Sequence, residues 1–272
     1  MVPLTMEQGS GSAGSLNGTA LIFREPVAYS LAWELQSRLH RERMLDLRAD
    51  TVLILEHLPV YTLGRTAKES HWGGNEAELR ANGAELHRVN RGGSVTYHGP
   101  GQIVVYPILR LAQYAAGPKQ AVWLLEEVIL RLLGQYGIEG CRIDKKPGVW
   151  IAGPVPEKIA SIGIRIERGV TLHGFALNVD TDLSPFERIH PCGFTDCAVT
   201  SMAARLNRPV SVQEVKRALV RIFGTVFGLP WSTVEEYRGA PWPLSHDLAH
   251  SQTPTTSSTE GLCRNLTPTP SA

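Results

Sequence analysis

Little in this 272-residue chain is extreme, and each thing it lacks removes a class of function. Charge of one sign is missing: 27 Lys and Arg against 26 Asp and Glu leave a formal net charge of +1. No global field therefore draws the chain to nucleic acid or to a membrane surface. No apolar run approaches the roughly 20 residues that a membrane-spanning helix needs. The opening stretch, MVPLTMEQGSGSAGSLNG, has no basic region followed by an apolar one, so no secretory signal is read there and a cytoplasmic location is expected. Cysteine is scarce. Cys141, Cys192, Cys197 and Cys263 are too few to staple a chain of this length, and in a reducing compartment a cysteine with a role is catalytic or metal-binding. Cys192 and Cys197, with His173 and His190 near them in sequence, have no second cysteine pair to complete a zinc set, so no metal is expected.

What is present is an ordinary soluble core, 43% hydrophobic and 19% charged, enough for one domain. Gly and Ser dominate residues 1–18, and Pro, Ser and Thr dominate 238–272; both are read as disordered tails around a folded unit at 19–237. Within that unit strand and helix signals alternate. TALIF reads as a strand, and Ala28, Ala32, Leu35 and Leu39 follow at helical spacing. TVLILEH and VYTLG are strands divided by Pro59. Asn75 with Glu78 and Gly83 frames a short helix. ELHRVN and QIVVYPIL read as strands on either side of a glycine-rich loop, and KQAVWLLEEVILRLLGQYG is the strongest helix. GVWIA, KIASIGIRI and VTLHGFALNV form a meander of adjacent strands. Ser211 and Glu214 open a last helix running toward Gly228. The expected fold is α/β, a mixed sheet flanked by helices.

The loop RGGSVTYHGPGQ, residues 91–102, holds the densest unusual chemistry. Its four glycines permit positive φ and close approach of backbone N–H groups to a ligand. It ends in neither Gly-Lys-Ser/Thr nor a dinucleotide fingerprint, so residue types alone make it a binding loop without naming the ligand.

RGGSVTYHGPGQIVVYPI resembles the signature of the lipoyl(octanoyl) transferases, and KIASIGIRI, HGFALNV, DLSPFERI and PCG follow in that family's order. The resemblance spans most of residues 50–205. It implies the fold of biotin and lipoate protein ligases, with a smaller sheet beside the main one. It implies transfer of an octanoyl group from octanoyl-acyl carrier protein, through a cysteine thioester and without a cofactor, to a lysine of lipoyl domains. The acceptors would be those of 2-oxoacid dehydrogenase complexes and the glycine cleavage H protein. By residue, it implies Cys192 as nucleophile and Lys158 as its acid/base. The acyl-binding segments would be Arg91, Gly92, Gly93, Ser94, Val95, Thr96, Tyr97 and His98, then Ser161, Ile162 and Gly163, then Gly174, Phe175 and Ala176. Gly174, lacking a side chain, is expected to admit the acyl chain closely.

Chemistry independent of the family agrees. A thiol with its usual pKa of about 8.5 is a nucleophile only as thiolate, which a nearby ammonium favours. Thioester exchange is nearly balanced in energy, and amide formation then runs downhill, so no ATP is needed. Pro191 and Gly193 place Cys192 in a turn. The bland alternatives are a solvated Lys158 at a strand start and a Cys192 that merely fills space. His98, His173 and His190 compete as bases, His98 and His173 being read as pocket lining. An ATP-dependent ligase, a non-catalytic acyl-binding module and a cysteine hydrolase are the rival functions. Arg38, Arg41, Arg43 and Arg48 offer a basic patch to an acidic carrier, or only a solvated helix face.

Overall fold

The computed structural model describes residues 17–80, 83–189 and 197–238. In chain order the elements are β1 (Gly18–Phe23), α1 (Tyr29–Met44), β2 (Thr51–Leu55), β3 (Val60–Leu63), α2 (Glu76–Arg80), β4 (Glu85–Arg88), β5 (Val95–His98), β6 (Gln102–Ile108) and α3 (Pro118–Gln135). Then follow β7 (Cys141–Ile143), β8 (Lys146–Ile151), β9 (Glu157–Glu167), β10 (Val170–Asn178), β11 (Ala198–Val199), α4 (Met202–Leu206), α5 (Val212–Phe227) and β12 (Trp231–Tyr237). Short 3-10 turns lie at Glu69–His71, Leu111–Gln113 and Ser184–Arg188. No helix among the described residues is long and apolar enough to cross a membrane.

The main sheet runs β12-β1-β2-β6-β10-β9-β8-β7, with β11 added beside β9. Its mixed character comes from parallel β12, β1 and β2 at one side and the antiparallel β8-β9-β10-β6 meander at the other. A second sheet, β4-β3-β5, stands apart. The sequence places β2 and β3 next to each other across Pro59, yet they belong to different sheets. A third of the expected glycine-rich loop is strand β5. The edge strand β12 has no counterpart in the sequence reading; mostly exposed, it has no strong apolar alternation to show itself.

Alternation divides the main sheet's faces. Ala20, Ile22, Val52, Ile54, Ile103, Val105, Phe175 and Leu177 point to one side, where α3 and α5 cover them with Leu125, Val128, Ile129, Leu132, Leu219 and Phe223. Burying branched side chains like these contributes roughly 1.5–3 kcal/mol each. Helix α5 is fixed at both ends by its own residues. Ser211 Oγ accepts from the Glu214 N–H at 3.4 Å, and Gly228 closes the C-terminus in the left-handed region at φ 61°, where a glycine is at no disadvantage.

From α5 a fully buried lysine also reaches across. Lys216 Nζ donates to Phe23 O at 2.6 Å and to Glu56 Oε1 at 2.8 Å. The other Glu56 oxygen accepts from the Gly101 N–H at 2.8 Å. Buried charges persist only when paired and hydrogen-bonded, so this chain ties α5 to the turn between β5 and β6. Gly101 is required there: φ is 82°, and a Cβ would lie 2.2 Å from Asp180 O.

Candidate active site

Toward the second sheet the same strands present a different set of residues. Gly163 stands opposite Gly174 and Ser161 opposite Ala176 on β9 and β10, while Ala176 faces Val104 across to β6. Ser161 and Ala176 leave a trough where larger side chains would fill the sheet surface, whereas the glycines admit backbone: a Cβ on Gly163 would lie 2.7 Å from Gly92 O. Tyr29 from α1, Arg91 and Gly93 from the loop, and Thr96 and His98 from β5 close over it. The resulting pocket is also lined by Val95, Tyr106, Ile162, His173 and Phe175. A mostly apolar lining with a few convergent polar groups is usual for a small-molecule site.

Of the fourteen acyl-binding residues expected from the sequence, Arg91, Gly93, Val95, Thr96, His98, Ser161, Ile162, Gly163, Gly174, Phe175 and Ala176 line this cavity. Gly92, Ser94 and Tyr97 do not. Tyr97 turns the other way, against Tyr61 and Phe186 in the core of the small sheet. Ser94 is buried with Oγ 2.6 Å from His71 Nδ1. Gly92 serves the roof with its backbone: its N–H donates to Ile164 O at 3.2 Å. Tyr29, Val104 and Tyr106 were missed. Val104 and Tyr106 share the period-2 face of Gln102 in QIVVYPI, a signal available in the sequence; Tyr29 arrives from a distant helix and had none. Gly174 also plays another part than expected. A Cβ there would sit 2.0 Å from Val105 O, so its missing side chain lets β10 approach β6 rather than admitting an acyl chain.

The histidines are committed elsewhere. Gln102 Nε2 donates to Tyr97 O and Asn178 Oδ1. Its Oε1 therefore accepts from His98 Nδ1 at 2.7 Å. His98 Nε2 is left as a lone pair, 3.5 Å from Thr62 Oγ1. His57 donates from Nδ1 to Val27 O at 3.0 Å and accepts from the Tyr106 hydroxyl at 2.7 Å. His173, at a left-handed φ of 57°, stacks on Trp33 and bonds Asn90 Oδ1 through Nε2 at 2.7 Å. Burial holds all three neutral: His57 is lowered to about 4, His173 to about 3, and His98 well below its usual value. Such groups are poor bases near neutrality. Burial likewise raises Tyr29 to about 12 and Tyr106 well above its ordinary range, so both phenols stay protonated.

Lys158 is 2% exposed, which removes the reading of a solvated strand end. Its direction depends on one extra residue. Val149 pairs with Ala160 but Trp150 pairs with Lys158, so β9 carries two residues against one on β8. Ile159 and Ala160 consequently both enter the helix-side core. Lys158 is left on the face of Ser161 and Gly163, a use of bulges that recurs beside functional sites. On its other side Val199 of β11 pairs with Lys158, and the Thr200 N–H donates to Lys158 O at 3.0 Å. Cys192 and His190 lie outside the described residues; the chain resumes at Cys197, immediately before β11. Arg38, Arg43 and Arg48 are engaged by Glu42, Asp46 and Asp50, so most of the expected basic patch is locally compensated.

Residues 28–224 match the lipoyl protein ligase A/B catalytic domain. The chain is similar to the octanoyltransferase of Thermobifida fusca, at 44% identity over 80% of this chain and 91% of that one. It is also similar to that of Rubrobacter xylanophilus, at 46% over 75% and 91%. Among solved structures, a bipartite lipoate protein ligase from Thermoplasma acidophilum superposes with a TM-score of 0.60 at 17% identity, over 82% of this chain and 88% of that one, a likeness in fold. The chain belongs to the lipoyl protein ligase A/B catalytic-domain family and, within it, to the octanoyltransferases.

Proposed function

We propose that the chain moves an octanoyl group from a carrier thioester to a protein lysine by way of a thioester on Cys192, with Lys158 as acid/base. Octanoyl transfer in lipoate assembly, an acyltransferase reaction, is the activity of its family. Its partners are an acyl carrier as donor and lipoyl domains as acceptors. The particular acceptors proposed are lipoyl domains of 2-oxoacid dehydrogenase complexes and the glycine cleavage H protein, met in the cytoplasm.

The observation that carries the site assignment is the trough of small residues on β9 and β10 leading along one face toward buried Lys158. An octanoyl chain laid on Val104 and Ala176 gains about 0.8 kcal/mol per buried methylene. In the first half-reaction the Cys192 thiolate attacks the thioester carbonyl, a new carbon–sulfur bond forms, and the carrier sulfur departs with a proton from the Lys158 ammonium. In the second, the acceptor lysine's amine attacks the Cys192 thioester, the Lys158 amine takes the surplus proton, and Cys192 leaves as thiolate. Each group ends as it began. Backbone N–H groups around the cavity are the candidate donors to the developing oxyanion.

A lipoate ligase shares this fold, so the fold does not separate the two activities. Supplying octanoyl-carrier thioester without ATP, and octanoate with ATP, does. Acceptor octanoylation is expected from the thioester alone; product only from octanoate and ATP would overturn the proposal.

A further inference from the structure

At the Lys158 end of the pocket face, two carboxamides stand where β6 and β10 could have continued with apolar side chains. Gln102 lies one step beyond Val104 on β6 and Asn178 one step beyond Ala176 on β10, and the two residues are directly paired. Their neighbours Ile103, Leu177 and Val179 all turn to the helix-side core. Both amides are buried, Asn178 at 4% exposure, so their polar atoms have to find partners inside the protein.

Backbone carbonyls at both ends fix the polarity of the chain they form. Gln102 Nε2 donates to Tyr97 O at 3.2 Å and to Asn178 Oδ1 at 2.9 Å. With its oxygen thus engaged, Asn178 donates from Nδ2 to Thr200 O at 3.0 Å. Thr200 is itself buried, and its N–H donates to Lys158 O at 3.0 Å. Both backbone groups of Thr200 are therefore held, one by β9 at Lys158 and the other by β10 at Asn178. Strand β11 has only two residues, Ala198–Val199, so its placement depends on anchors outside its own short ladder.

We infer that Asn178 is a positioning residue for the transfer: it seats β11, the strand that follows Cys192 in sequence, against Lys158, and Gln102 sets the direction of its amide. The inference rests on Cys192 being the nucleophile and Lys158 the acid/base, as proposed above. Neither amide gives or takes a proton in the reaction. Amide hydrogen bonds are directional and do not titrate, so the seat keeps its shape while protons move beside it. The same Gln102 accepts from His98, which joins the roof of the pocket to this anchor.

The test compares the native chain with Asn178→Leu, which is close in volume, and Asn178→Ala, which leaves room for a water at Thr200 O. Amide hydrogen exchange is read by peptide mass. Octanoyl loading is read in a single turnover, as the rate at saturating octanoyl-carrier thioester and the donor concentration that gives half of it. Exchange is expected to quicken at residues 197–202 and to stay unchanged in α3 and α5. Loading at saturation is expected to slow by about ten- to a hundred-fold for Asn178→Leu, the loss that a misplacement of about 1 Å brings. Asn178→Ala is expected to fall between, with the half-saturating concentration unchanged in both. Faster exchange throughout the chain would make Asn178 a general structural residue and overturn the inference. Loosened exchange at 197–202 with loading at the native rate would overturn it too, as would slowed loading with exchange there unchanged. Cys192→Ala is measured beside them. If it loads as well as the native chain, the reading of Cys192 fails and takes the inference with it; if it does not load, a failure at Asn178 belongs to the inference alone.

Discussion

The two faces of strands β6, β9 and β10 are built from alternate residues of the same short segments, and they do opposite things. Ile103, Val105, Phe175 and Leu177 face α3 and α5 and fill space. Val104, Ser161 and Ala176, one residue away in each case, line the pocket instead. The filled face supplies stability, and the open face is stable only because the filled one and the roof of β3–β5 hold its backbone in place.

If the division holds, substitutions on the two faces should have separable consequences. The largest effect is expected at the end of the open face. Lys158→Met keeps the apolar stem and should leave folding largely intact, but slow transfer by roughly a hundred- to ten-thousand-fold, the usual loss for a positioned acid/base. Lys158→Arg should retain the charge but not the proton exchange, because arginine does not deprotonate in proteins. On the filled face, Leu132→Ala should cost about 2–5 kcal/mol of unfolding free energy with octanoyl preference unchanged, read by urea titration and by competition among six-, eight- and ten-carbon thioesters. Lys216→Met should cost a comparable amount, about 3–5 kcal/mol, because Glu56 would be left charged and buried.

A pH series sharpens the comparison further. His57, His98 and His173 are held neutral by burial on the open side, whereas the unfolded chain takes up protons at these positions below about pH 6.5. Their folded values are depressed, so stability is flat above that pH. It falls by about 1.4 kcal/mol per pH unit for each histidine below it, until the folded protein itself protonates, at about 4 for His57 and about 3 for His173. His173→Asn, a residue that tolerates positive φ, should lower the slope between pH 6 and 4.5 by one proton. The smallest expected effect is on specificity. Ser161→Val fills the trough opposite Ala176 and should shift preference toward shorter chains by a few fold, with stability changed by less than about 1 kcal/mol.

Much of this was legible in the sequence because it depends on local pattern. The meander, the capped helix at Ser211 and the loop segments were readable from period, caps and motif. The parts that were not depend on pairing between distant segments. KIASIGIRI reads as strict alternation, which puts Lys158 on the core face with Ala160; only the extra residue against β8 turns it round. Gly174 reads as open space, but its vacancy is occupied by the carbonyl of Val105 on a neighbouring strand. Tyr29 reaches the cavity from a helix far away in sequence. Assignment of β2 and β3 to different sheets was hidden by Pro59, which ends one strand without saying where the next one goes.

The central claim is that the acyl group rests on Cys192 between donor and acceptor. Intact-mass spectrometry after incubation with octanoyl-carrier protein, with no acceptor present, tests it directly. The native chain and Cys197→Ala should each gain one octanoyl mass, released when a lipoyl domain is added, and Cys192→Ala should gain none. An octanoyl adduct that persists on Cys192→Ala, or a native chain that transfers octanoyl to the lipoyl domain without ever carrying the added mass, would contradict the account.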